Sequence, residues 1–66
     1  MDIGKKIASL RKTKAVTQTQ LADYLSVTPQ TVSRWEVNNG VPDIYLLPKI
    51  ATFFDVFIEE LYGINN

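Results

Sequence analysis

The stretch Thr17–Glu36, TQTQLADYLSVTPQTVSRWE, decides how this chain folds. Leu21, Ala22, Leu25, Val27, Val32 and Trp35 read as core, with polar "TPQT" and "SR" wedged between them. Thr17 and Gln20 have the spacing of a capping box, so a helix runs from about Gln18 to Leu25. Thr28 followed by Pro29 is a second start signal: an N-cap, then proline where its missing N–H costs nothing. That helix covers about Pro29 to Val37. Only Ser26 and Val27 separate the first helix from the Thr28 cap. So short a connection forces a steep crossing, and the small Ala22 lets the helices approach closely. The pattern is that of a helix-turn-helix.

The second helix of the pair has two faces. Val32 and Trp35 point inward, so Pro29, Gln30, Ser33 and Arg34 fall on the outward side. A helix held by its apolar face, with glutamine and arginine offered outward, can enter the major groove of DNA. Gln30 matches adenine N6 and N7, and Arg34 matches guanine O6 and N7; each such pair gives about 1–3 kcal/mol of discrimination. Pro29 is first a helix starter and secondarily a contact for a thymine methyl. Gln18 sits at a positive helix end suited to phosphate. Lys12 and Lys14, close to the start of that helix, are further phosphate candidates. Trp35 is core packing, and Lys5 and Lys6 are solubilising charges.

Outside this stretch, Ile3, Ile7 and Leu10 recur at helical spacing and predict a first helix from about Asp2 to Thr13. "NNG" and Pro42 mark a loop. Asp43 is expected to cap a fourth helix whose Ile44, Leu47, Ile50, Ala51 and Phe54 form one stripe. Pro48 inside that stripe permits a bend or a later start. Asp55 ends the helix, and Ile58, Leu61 and Tyr62 predict a last short one. The expected fold is all-α: five helices with short loops, one domain over residues 1–66.

Composition narrows the function. Of 66 residues none is Cys or His, which removes disulfide staples and the ligands of a structural zinc site. No apolar run approaches the roughly 20 residues that span a bilayer, and nothing reads as a signal peptide. The expectation is a cytoplasmic protein with no metal, cofactor or membrane partner. Formal net charge is zero, but it is unevenly spread. Residues 1–34 hold Lys5, Lys6, Arg11, Lys12, Lys14 and Arg34 against Asp2 and Asp23, a local charge of +4. Residues 35–66 hold Lys49 against Glu36, Asp43, Asp55, Glu59 and Glu60, a local charge of −4. One basic face suits a polyanion.

The chain resembles the Xre/Cro-type helix-turn-helix family, the DNA-binding domain of lambdoid phage repressors and many bacterial regulators. The resemblance runs from "IGKKIASLRKTK" through "TQTQLADYLSVTPQTVSRWE" and "PDIYLLPKIATFFDV" to "IEELYG". It implies that Gln18 holds the DNA backbone, that Thr28 touches phosphate, and that Pro29, Gln30, Ser33 and Arg34 face the groove. With Lys12, Lys14, Thr17, Thr31, Asn38 and Asn39 these make the expected DNA contacts. It also implies a structural ion pair between Arg11 and Glu36. The chain departs from the family's pattern at four places. Ser26 and Asn38 stand where glycine is usual, Ser26 at a turn position that calls for a left-handed conformation. "VNNGV" lacks the usual basic residues, and Phe57 replaces a capping serine. An exposed Phe57, with Tyr62 and Val41, is a candidate dimer contact.

Three function classes are thereby ranked. The first is sequence-specific binding of double-stranded DNA by a homodimeric transcriptional regulator, a repressor, on a palindromic site. The second is a protein-interaction module (antitoxin-like or anti-repressor-like) that keeps the fold with weak or no DNA binding; the neutral charge and uncharged loop favour it. An enzyme comes last: there is no His, Cys or Gly-rich phosphate loop, and adjacent Glu59 and Glu60 diverge on a helix.

Overall fold

The computed structural model describes residues 2–63, which form five α-helices and, among the described residues, no strand. Helix α1 (Ile3–Thr13) starts where the Asp2 side chain accepts from the Lys5 backbone N–H at 3.0 Å. It buries Gly4 and Ile7, with Ile3 and Leu10 packed beside them. A Cβ at Gly4 would overlap the backbone carbonyl of Trp35, so this glycine is what lets α1 lie against the end of the third helix. The connection "KAV" turns through Ala15 in a left-handed conformation (φ 57°), a requirement the sequence reading did not anticipate.

Helices α2 (Gln18–Leu25) and α3 (Pro29–Glu36) form the helix-turn-helix, with Leu21, Ala22, Leu25, Val32 and Trp35 all buried. Both bonds of the capping box are made: Thr17 Oγ1 accepts from the Gln20 N–H at 3.0 Å, and Gln20 Oε1 from the Thr17 N–H at 2.8 Å. Ser26 turns the chain in the left-handed region (φ 60°), and the Val27 N–H reaches back to the Ala22 carbonyl at 3.0 Å. Helix α3 starts at Pro29 on the Thr28 cap as expected and ends at Glu36, one residue short of the expected Val37. There Asn38 takes the left-handed position (φ 63°) and the Asn39 N–H closes on the Arg34 carbonyl at 2.8 Å.

The fourth helix differs from expectation. Residues Ile44–Leu46 form a 3-10 turn, and α4 (Leu47–Phe54) starts after it. A helix begun at Ile44 would need a Pro48 N–H to bond the Ile44 carbonyl, and proline has none. The chain uses a tighter turn first, so that Pro48 falls in the opening turn of α4. Asp43 therefore makes no side-chain cap. The change of register also moves Ile44 out of the core, where it is 78% exposed, and buries Leu46 instead. Leu47, Ile50, Ala51 and Phe54 remain the buried stripe.

Asp55, left-handed at φ 58°, ends α4. Helix α5 (Ile58–Tyr62) lays Leu61 into the core. The twelve buried hydrophobic residues, drawn from α1 to α5 and the 3-10 turn, form one cluster. No described polar or charged residue is buried outright, and no buried side-chain polar atom lacks a partner. None of the described helices is long and apolar enough to cross a membrane.

Candidate nucleic-acid interface

What sets the candidate interface is the anchoring of α3. Val32 is fully buried and Trp35 nearly so, which leaves Pro29, Gln30 and Arg34 exposed and Ser33 half-buried. The four residues expected to face a groove thus share the side of α3 away from the core. None of the hydrogen bonds formed within the described residues uses the side chain of Gln30 or Arg34, so both are free to take a partner.

The start of α3 carries hydroxyls. Thr28 Oγ1 accepts from the Thr31 N–H at 3.2 Å and lies 2.9 Å from Thr31 Oγ1. One hydroxyl proton is used between the two threonines; the other is left to donate outward, as a phosphate contact requires. Thr17 is exposed at the head of α2. Asn38 and Asn39 are exposed just beyond α3, and Lys12 is exposed near the end of α1. Lys14 has another engagement: its Nζ donates to the Phe54 carbonyl at 2.6 Å, at the negative end of α4. The structure thus places it as a tie between the α1–α2 turn and α4.

A charged junction joins the three helices. Arg11 Nε donates to Glu36 Oε2 at 2.7 Å, and Nη2 donates to Oε1 at 3.0 Å. Arg11 Nη1 also donates to the Val16 carbonyl at 2.9 Å. The side chains of Arg11 and Glu36 are only 16% and 8% exposed, so the pair is largely withdrawn from water. Burial alone would raise the Glu36 carboxyl pKa, and it is the strongest single influence on that group. Hydrogen bonds from Arg11 and Gln18, with the charges of Arg11 and Lys12, together outweigh it and hold the carboxyl below its ordinary range. Arg11 is correspondingly raised, by its bond to Glu36 first, against burial, with the carboxylate's charge adding to the effect.

The sequence reading missed one member of this junction: Gln18 Nε2 donates to Glu36 Oε1 at 3.0 Å. Gln18 opens α2 and Glu36 closes α3, so this bond fastens one end of the motif to the other. No signal within either helix points to it, because it depends on how steeply α2 and α3 cross.

The three candidate dimer residues line two different depressions of the surface. Val41, 74% exposed, and the half-buried Tyr62 line a groove of about 370 Å³ together with Ile3, Ile44 and Leu47. Phe57, also 74% exposed, lines a second depression with Val56 and Glu60. Val37 and Tyr45 are further exposed apolar residues on the α3–α4 connection that the sequence reading did not mark as exposed. The described residues contain no group of His, Cys, Asp or Glu side chains that could hold a metal ion.

A helix-turn-helix family profile matches residues 7–61, which includes all of α2, α3 and α4. Over 61 residues the chain is 41% identical to the HTH-type transcriptional activator BcrR of Enterococcus faecalis, covering 92% of this chain and 30% of that protein. It is 33% identical over 63 residues to the cryptic phage CTXphi transcriptional repressor RstR of Vibrio cholerae, covering 96% and 56%. It is 28% identical over 58 residues to an SPbeta prophage-derived HTH-type transcriptional regulator of Bacillus subtilis, covering 88% and 54%. The chain therefore spans from under a third to just over half the length of these relatives. No solved structure matches it significantly. The capped α2–α3 pair, its buried apolar side and the match over residues 7–61 agree: the chain belongs to the Xre-type helix-turn-helix family.

Proposed function

We propose that the chain binds double-stranded DNA sequence-specifically, with α3 in the major groove, and so regulates transcription. The observation that carries this reading is the division of α3 into a buried side (Val32, Trp35) and an exposed side that offers Pro29, Gln30 and Arg34. Gln30 and Arg34 read base edges, and Pro29 and Ser33 make the closest apolar and hydroxyl contacts. Thr17, Gln18, Thr28, Thr31, Lys12, Asn38 and Asn39 contact phosphates and fix the docking angle. Repression by occupying a site needs nothing beyond this binding, and is the mode we assign.

So small a surface gives few contacts, and two copies on a palindrome, with half-sites about one helical turn apart, make binding tight. Phe57 is the exposed aromatic assigned to that dimer contact. Phe57→Glu should leave stability within about 0.5 kcal/mol, as for other surface changes, yet raise the dimer dissociation constant at least tenfold in sedimentation. Unchanged association would remove Phe57 from the interface.

The second reading, a protein-interaction module, is favoured by the α3–α4 connection. It has no basic residue and exposes Val37, Val41, Ile44 and Tyr45. Selection from a random duplex library near physiological salt decides between them. Wild type should enrich a palindromic motif that Gln30→Ala/Arg34→Ala does not. No enrichment by wild type, even at lowered salt, would leave the second reading standing.

A further inference from the structure

The Gln18–Glu36 bond has a polarity. A carboxylate accepts hydrogen bonds and has none to give, so the group of Gln18 that faces it is the amide nitrogen. Glu36 is itself held in place by two bonds from Arg11, and its side chain is 8% exposed. Gln18 is only half-buried, and without this bond its side chain would rotate and its amide would turn over freely.

We propose that Glu36 is a positioning residue for DNA binding: it fixes the side-chain amide of Gln18, nitrogen inward and carbonyl oxygen outward, before DNA arrives. The inference rests on the DNA-binding reading and deepens it. Glu36 touches no DNA; it acts through Gln18. The fixed amide leaves one Nε2 proton and the carbonyl oxygen for outside partners, so Gln18 meets phosphate as a donor through that remaining proton and its backbone N–H. Arg11 serves as the brace, because a carboxylate doubly bonded to a guanidinium cannot swing to follow Gln18. Ordering the side chain in advance removes a cost otherwise incurred on binding. For one long side chain that corresponds to roughly 3- to 10-fold in affinity.

The test is a double-mutant cycle on the duplex that wild type selects, with Gln18→Met, Glu36→Leu and the pair. Gln18→Met keeps the length of the side chain and leaves the Arg11–Glu36 pair intact. Each single variant should lose roughly 3- to 10-fold in affinity, and the double variant should bind no more weakly than Gln18→Met. In the free protein, the Gln18 side-chain amide resonances should exchange slowly with solvent in wild type and quickly in Glu36→Leu. If Glu36→Leu does not fold, Glu36→Asp, which keeps the charge but withdraws it from Gln18, replaces it with the same expectations. Additive losses, full affinity in the Glu36 variant, or a fast-exchanging Gln18 amide in wild type would each overturn the proposal while leaving DNA binding in place. Wild type that binds no duplex would overturn the DNA reading and this inference together.

Discussion

Two residues, Gly4 and Glu36, show how single positions carry the frame of this fold. Gly4 has the Trp35 carbonyl directly where a side chain would begin, and that neighbour is backbone, which cannot rotate aside. Gly4→Ala should therefore cost about 3 kcal/mol, the upper end of the usual overpacking range, read as a lower urea midpoint. A change within about 0.5 kcal/mol would mean that α1 shifts freely on α3. Glu36 makes stability depend on pH. Its folded pKa is held below the ordinary, unfolded-chain glutamate value. Its contribution is therefore complete above the unfolded pKa and is lost as pH falls through the folded one. Wild type should exceed Glu36→Gln in stability by a constant margin from pH 7 to about 5, and that margin should shrink below about pH 4. The raised Arg11 works the other way, losing its contribution only as pH rises past the ordinary arginine value, beyond any useful range. Urea unfolding of both proteins across pH 3–7 checks the sign; a margin constant throughout would separate Glu36 from acid stability.

The elements were legible to different degrees, for physical reasons. Helices α2 and α3 start where the sequence says, because Thr17, Gln20, Thr28 and Pro29 act on their own neighbours and need no tertiary context. Ser26 and Asn38 were recognisable as left-handed positions because they stand where the family pattern has glycine. Ala15 was not, since alanine has no local preference for that region, and only its place between two packed helices forces it there. Ile44 was misplaced for a related reason. Its spacing fits the α4 stripe, but Pro48 four residues later forbids the hydrogen bond that would continue the helix back to it. The ends of α2 and α3 also meet through Gln18 and Glu36, a link invisible to any local pattern. The strain at Ala15 is open to test. Ala15→Gly relieves a left-handed cost of about 1–2 kcal/mol and adds unfolded-state entropy of about half that. The net gain should raise the Tm by about 4 °C; a fall would mean that Ala15 is not strained.

At the scale of the whole molecule, the core and the junction have one consequence in common: they hold α3 by its inner side and its final residue, so its outer side is presented as a rigid unit. On this account specificity lies with Gln30 and Arg34, and the remaining polar contacts set affinity and register. The expected salt dependence is steep, because phosphate contacts release counterions from the duplex. The most direct test measures wild type and Arg34→Ala against the selected duplex and variants changed at each base pair in turn. Arg34→Ala should become indifferent at one position, losing about 1–3 kcal/mol of discrimination there and none elsewhere. An Arg34→Ala protein that keeps the wild-type preference at every position would contradict the claim that this face of α3 reads the groove.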